Sequence, residues 1–429
     1  MKRFYFIAAM AIMAAGCQKT EIQNEVQTPI GFSTEVGKQT RAIVQDGTYL
    51  TDQPFGVYAY GYQLETVEVQ GVPVTQRIAN STSTPMNNIE ISYDDNGTDA
   101  DASDDAWRAT GDVKYYWPND PRTRLDFYAY SPAQVTDGTA TEAHQKLTGV
   151  ITHSEKENEN DTQYGLVLSN YVHSNMYVDF MVATPVIGAT YSTVNQEANK
   201  AGTVPLDFKH KMTQVNFTVK IADNADYPNV DFTINSIVLN NIKSNGTYTY
   251  TSDKWTDADT PATSSYQIYP ATTAGATSAT DYSAGAPALT NVDAEDERTE
   301  QTVILRTDPT GTRGGQQLTV NAANPGKSFS TTPVTMIPQT LTNTDAQNDV
   351  DQSFTISYTI SGTGVAKETI VKTFDFADAV ATEVPAWDNN KKITYTLTIS
   401  LNEITFAPSV TNWSEDDAAG SFDDDSSNV

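Results

Sequence analysis

VPLDFKHKMTQVNFTVKI, residues Val204–Ile221, is the stretch on which the fold turns. From Gln214 to Ile221, Val215, Phe217, Val219 and Ile221 alternate with Asn216, Thr218 and Lys220. A period of two sends successive side chains to opposite faces of a strand. The pattern recurs on both sides of this stretch. Upstream stand FGVYAYGY (Phe55–Tyr62), RLDFYAY (Arg124–Tyr130) and MYVDFMVAT (Met176–Thr184). Downstream stand VDFTINSIVLNNI (Val230–Ile242), TVILR (Thr302–Arg306) and TPVTMIPQ (Thr332–Gln339). SFTISYTI (Ser353–Ile360), KITYTLTISL (Lys392–Leu401) and ITFAPSV (Ile404–Val410) complete the series. No run of twelve residues carries a persuasive helical period. Many short strands with turn residues between them predict an all-β chain of two tandem β-sandwich domains with long loops. The expected break lies at Gln196–Gly202.

The loops are polar. YDDNGTDADASDDAW (Tyr93–Trp107) and HSEKENENDTQ (His153–Gln163) separate strands, and Thr251–Glu300 reads as loops and short edge strands. With 22 Tyr and 15 Phe the chain has the material for a core, so it is not disordered overall. A net charge of −28 repels phosphate backbones and anionic headgroups, which excludes nucleic acid as a partner. The single cysteine, Cys17, has no internal partner.

The first segment, MKRFYFIAAMAIMAAGC, begins with Lys2 and Arg3 and continues as an apolar run from Phe4 to Ala15. The run is too short to span a bilayer and matches a secretory signal. Ala14, Ala15 and Gly16 directly before Cys17 resemble a bacterial lipobox, in which the thiol is acylated and becomes the mature N-terminus. The alternative is an ordinary signal peptide with a stray cysteine. A polar tether follows to about Gln27. The last residues, SEDDAAGSFDDDSSNV, form an acidic, Ser-rich tail.

Motifs for chemistry are weak. Asp99, Asp101, Ser103 and Asp105 alternate as oxygen ligands of a Ca²⁺ loop would. An EF-hand, however, needs Gly at 104 and Glu at 110, where the chain has Asp104 and Thr110. A solvated acidic loop is the plainer reading. NPGKS (Asn324–Ser328) lacks the first glycine of a phosphate loop and reads as a turn. His144, His153, His173 and His210 show no metal-ligand spacing, and His210 reads as a structural side chain at a strand start. No serine sits in G-x-S-x-G, and no carboxylate pair stands out, so no enzyme and no cofactor are expected. Trp107, Trp117, Trp255, Trp387 and Trp413 are expected to fill cores or cover loops. For stacking on a sugar, Trp117 in YYWPND is the exposed candidate.

Several separated stretches together resemble the fimbrillin family, the Mfa-like and FimA-like subunits of Bacteroidales-type type V pili. They are the lipobox at Cys17, IGFST…TRA, FYAYSP (Phe127–Pro132), DFMVATP (Asp179–Pro185) and FKHKMTQVNFTV (Phe208–Val219). MIPQ (Met336–Gln339), WDNNKKITYTLTI (Trp387–Ile399) and ITFAPSVTNW (Ile404–Trp413) follow in order. The resemblance implies two tandem transthyretin-like, Greek-key β-sandwiches. It divides the chain into a signal peptide (1–16), a lipidated tether with a removable first strand (17–41), an N-terminal sandwich (42–200), a C-terminal sandwich (201–413) and the acidic tail (414–429).

The resemblance also implies a life history. The chain is exported as an outer-membrane lipoprotein, acylated (palmitate) at Cys17, and folds with its first strand in place. An Arg-specific protease then cuts in GFSTEVGKQTRAIVQD (Gly31–Asp46), at Arg41–Ala42. The strand carrying Ile30 and Phe32 leaves, and a strand of the next subunit replaces it. Ile404, Phe406 and Val410 have the parity of a donor strand, although Pro408 interrupts its ladder. The implied partners are other pilus subunits in a head-to-tail fibre and a host or bacterial surface ligand. The chain would be a stalk or tip subunit for adhesion. Two alternatives stay open: the anchor subunit of the pilus, and a surface lipoprotein that binds a glycan or host ligand and never polymerises.

Overall fold

A computed structural model describes residues 28–36, 53–79, 86–94, 106–111, 113–134, 147–156, 161–173, 176, 178–194, 202–223, 225–270, 303–313, 316–341, 352–376, 384–401 and 403–413. Their regular structure is all β, as the alternation predicts. In chain order the strands begin with β1 (Gly31–Val36), β2 (Phe55–Val69), β3 (Val72–Ala79), β4 (Met86–Asp94), β5 (Ala106–Ala109), β6 (Arg124–Ser131), β7 (Val150–Ser154), β8 (Gly165–Val172), β9 (Met181–Ala183) and β10 (Val186–Ala189). Next come β11 (Thr203–His210), β12 (Thr213–Ile221), β13 (Val230–Lys243), β14 (Asn245–Thr249), β15 (Lys254–Thr256), β16 (Thr263–Tyr269), β17 (Val303–Leu305), β18 (Thr312–Arg313) and β19 (Gln316–Gln317). The last are β20 (Ser328–Ser330), β21 (Val334–Met336), β22 (Gln339–Thr340), β23 (Ser353–Gly362), β24 (Val365–Asp375), β25 (Ala386–Trp387), β26 (Lys391–Ile399) and β27 (Ile404–Asn412).

The first sheet closes on itself. Its hydrogen-bonded ring runs β2, β6, β9, β11, β1, β5, β4 and back to β2. β3 and β10 extend it along β2 and β6. Closure gives every strand an inside, and alternation fills it. Phe55, Val57 and Ala59 of β2, Leu125, Phe127 and Ala129 of β6, and Val204, Leu206 and Phe208 of β11 all point into one core. The residues between them point outward. Tyr58, Tyr128 and Tyr130 do not meet water there, because a second sheet, β15-β14-β8-β7, covers them. A strand buried on both faces loses its polar alternation. That is why β6 reads RLDFYAYS and is buried from Leu125 to Ser131. Gly56 belongs to the same outer layer. A Cβ there would stand 2.4 Å from the Tyr130 ring, so only glycine lets the ring lie on the strand.

Two further sheets face each other as a sandwich. One runs β20-β12-β26-β27 with β21 also on β12; the other runs β16-β13-β23-β24 with β17 also on β13. Phe217 of β12 meets Phe354 of β23 across the core at 5.1 Å between ring centroids. The stretch Val204–Ile221 crosses between the two bodies. Val204, Leu206 and Phe208 fill the closed sheet, while Val215, Phe217, Val219 and Ile221 fill the sandwich. The strand change falls at Lys211–Met212, and β11 is part of the first sheet. β14 also pairs back onto β8, so strands from either side of residue 200 share the covering sheet.

His173 stitches these bodies together. It is wholly buried, and its Nε2 lies 2.8 Å from the Thr335 carbonyl. A carbonyl only accepts, so Nε2 carries the proton and Nδ1 accepts from the Tyr171 hydroxyl at 3.0 Å. Burial pushes the imidazole pKa down to about 4. The unfolded chain takes up this proton near pH 6.5, the folded chain only near pH 4. Stability is therefore present above pH 6.5 and is lost as pH falls through that window, by about 3 kcal/mol in all. Denaturant titrations at pH 7 and pH 4 check this: the parent should lose about 3 kcal/mol more than His173→Gln, whose amide does not titrate.

Candidate functional site: the seat of the first strand

β1 occupies one position in the ring, and both of its edges are used. Along one edge it runs parallel to β11, from Gly31↔Thr203 to Val36↔Phe208. Along the other it meets β5 at Phe32↔Trp107. The residues before it are clamped too. Ile30 N–H donates to the Tyr115 carbonyl at 2.8 Å, and Trp117 N–H donates to Thr28 at 3.0 Å. Pro29 and Tyr116 form a bridge between those bonds.

Alternation sends Ile30 and Phe32 inward, where they are 9% and 6% exposed. Phe32 stands edge-on to Phe55 at 5.9 Å and to Phe127 at 6.1 Å, an arrangement that suits the aromatic quadrupoles. Phe55 in turn contacts Trp107 and Phe208. The strand thus contributes a ring to an aromatic cluster drawn from β2, β5, β6 and β11. Taking it away would leave the edges of β11 and β5 unpaired and a slot lined by Phe55, Phe127 and Trp107.

Trp117 corrects the sequence reading. It is not exposed but 4% accessible, packs on Phe127, and donates its indole N–H to the Gly202 carbonyl at 3.0 Å. Gly202 also accepts from Gly31 N–H at 3.4 Å. Trp117 is therefore part of the wall beside the first strand and offers no face to a sugar. His210 stands at the end of β11 rather than at a strand start. Its Nδ1–H donates to Asp179 Oδ2 at 2.6 Å, and its ring stacks on Trp413 at 4.0 Å with the planes 5° apart.

The C-terminal strand β27 is seated in its own sheet, paired with β26 from Lys391↔Asn412 to Ile399↔Ile404. Ile404 and Phe406 pack on the sandwich core, Val410 is 43% exposed, and Pro408 lies opposite Tyr395. Trp413, just beyond, is buried and ties this end of the strand to β11 through the His210 stack. Cys17, Arg41 and Ala42 lie outside the described residues, as do Asp99, Asp101, Ser103 and Asp105. Among the described residues no group of three His, Cys, Asp or Glu is placed to hold a metal. No described helix is long and apolar enough to cross a membrane.

Sequence reasoning singled out Ile30 and Phe32 but missed the residues that receive them. Trp107 and the Tyr115–Trp117 clamp border long polar runs, and only their aromatic character marked them. Their contacts with β1 are long-range.

These features define a class: an all-β protein whose first strand closes a sheet by pairing with a strand far along the chain. The chain belongs to the fimbrillin-like family, whose model matches residues 40–413. A fimbrial protein from Bacteroides vulgatus shares the fold at a TM-score of 0.50 and 16% identity, over 90% of this chain and 99% of that one. The C-terminally truncated tip fimbrial protein Mfa3 from Porphyromonas gingivalis is similar at a TM-score of 0.30 and 10% identity, over 84% of this chain and 94% of that one. No curated protein matches the chain significantly. The family is one of structural, non-enzymatic proteins.

Proposed function

We propose that this protein is a pilus subunit, stalk or tip, that polymerises by exchanging its first strand at the cell surface and serves adhesion. The observation that carries this reading is the seat of β1. The strand lies between β11 and β5 and plugs the core with Ile30 and Phe32. Arg41 follows it after the short polar link Gly37–Thr40. A cut at Arg41–Ala42 would leave β1 held by noncovalent contacts alone. An incoming strand with apolar residues at alternate positions would then restore both the backbone ladder and the core. Donor and acceptor are different surfaces, so the contact is head-to-tail and does not close. Export as a lipoprotein acylated at Cys17 would hold the precursor at the outer membrane until the cut. Its partners are then an Arg-specific protease and other pilus subunits.

The test is digestion of the purified precursor with an Arg-specific protease. The expected result is a new N-terminus at Ala42 followed by growth of oligomers in size-exclusion chromatography, with Arg41→Ala remaining monomeric. A cut chain that keeps its first strand and stays monomeric would reject strand exchange.

One observation favours a second reading. The unbroken register of β27 on β26 and the Trp413–His210 stack hold the C-terminal strand in place, which suits a chain that does not donate it. An anchor subunit or a non-polymerising surface lipoprotein would keep an acylated Cys17 at its mature N-terminus. Mass spectrometry of surface-extracted protein separates that outcome from a free Ala42.

A further inference from the structure

Beside the closed sheet lies a cleft of about 430 Å³, within the range of small-ligand sites. Four parts of the chain build it: the run into β8, β9 with the residues just after it, the end of β11 and the turn after β14. It is separate from the β1 seat and does not depend on strand exchange.

The cleft gathers cations in a chain of net charge −28. Lys156, Lys209 and Lys211 all line it. Lys211 is committed to the wall: its side chain is 6% exposed and its Nζ lies 2.8 Å from Asp253. The other two are held more loosely. Lys209 is half exposed, with its nearest carboxylate, Asp207, at a loose 3.8 Å. The Lys156 ammonium lies 5.2 Å over the Tyr164 ring.

The aromatic walls are held in place. Tyr250 N–H donates to the Leu166 carbonyl at 2.9 Å, and its ring lies directly on Gly165. A Cβ at 165 would stand 2.4 Å from Tyr250 Cδ1, and the backbone there has φ +119°, so glycine is needed twice over. Tyr164 is braced edge-on by Tyr128 at 6.3 Å. Thr162, Thr184 and Thr251 add hydroxyls to the lining. Fixed rings suit the apolar C–H face of a pyranose, ammonium groups a carboxylate, and hydroxyls with Asp161 the ring hydroxyls.

We propose that this cleft binds an acidic saccharide, a pyranose carrying a carboxylate. A nucleic acid would meet the negative field of the chain. A purely apolar ligand would meet the lysines, threonines and aspartates that make up most of the lining.

Titration calorimetry of the full-length chain with methyl glucuronide, methyl glucoside and inorganic sulfate tests the assignment. The glucuronide should bind at least about tenfold more tightly than either of the others. The double variant Lys156→Gln/Lys209→Gln should lose about tenfold for the glucuronide. Tyr250→Ala should lose it altogether, with a retained cooperative unfolding transition as the folding control. Equal binding of glucoside, equal binding of sulfate, no binding of any probe, or indifference to the double lysine variant would each overturn the proposal.

Discussion

Phe32→Ala is expected to lower the unfolding free energy by about 3–5 kcal/mol, the usual cost of deleting a buried aromatic ring. The ring is almost wholly buried and touches Phe55 and Phe127, residues contributed by two other strands of the ring. Those neighbours are fixed by their own contacts with Trp107, Phe208 and Trp117, which limits how far the void can collapse. The cost should therefore fall at the upper end of the range. Ser33→Ala is the control. Ser33 lies on the opposite face, half-buried, and its loss should stay within about 0.5 kcal/mol. Urea unfolding of the uncut precursor measures both. If the two variants lose equal stability, Phe32 is not the plug its position implies. The same variant bears on the proposed exchange: a strand without its plug should leave faster after the cut at Arg41, and oligomers should appear sooner.

The second large effect is expected at Asp126. On β6 it points outward, away from the ring core, yet its side chain is 4% exposed. It pairs with Arg77 of β3 and accepts from Gly188 N–H at 2.7 Å. The Arg77 guanidinium also lies 3.8 Å over the Tyr62 ring and donates to the Tyr62 hydroxyl at 2.9 Å. The pair thus fastens the β2–β3 hairpin and β10 onto β6. Asp126→Ala would leave a buried cation without its carboxylate and should cost about 3–5 kcal/mol. Asp126→Leu combined with Arg77→Met should recover most of that loss, because a buried pair replaced by packed apolar groups is often close to neutral. A double-mutant cycle by chemical unfolding reads the coupling. Strict additivity of the two single losses would show that the ion pair is not what holds the hairpin.

Much of the candidate site was legible in the residues. Ile30 and Phe32 sit two apart in a short polar setting, and that spacing alone puts them on one face of a strand. The β6 stretch RLDFYAY was legible as a strand but not as a strand buried twice. Its tyrosines looked like a wet face, and the covering sheet β15-β14-β8-β7 made it a dry one. Trp117 failed for a related reason. Its neighbours Tyr116, Pro118, Asn119 and Asp120 read as an exposed turn, whereas its indole N–H has a partner in Gly202, far along the chain. The lysine cleft left no signal at all, because Lys156, Lys209 and Lys211 come from separate segments and only packing collects them.

By itself the sequence determined that this protein is built from strands, which side chains in them share a face, and where turns and polar loops interrupt. These properties are local: the side-chain period of a strand is set by the chirality and geometry of a few consecutive residues. Only the tertiary structure decided which strands pair. It placed β1 beside β11, closed the first sheet through β2 and β6, laid β14 across to β8, and passed Val204–Ile221 from one core to the next. Strand pairing is a choice among distant partners with similar backbones, and the packing of the whole core makes it.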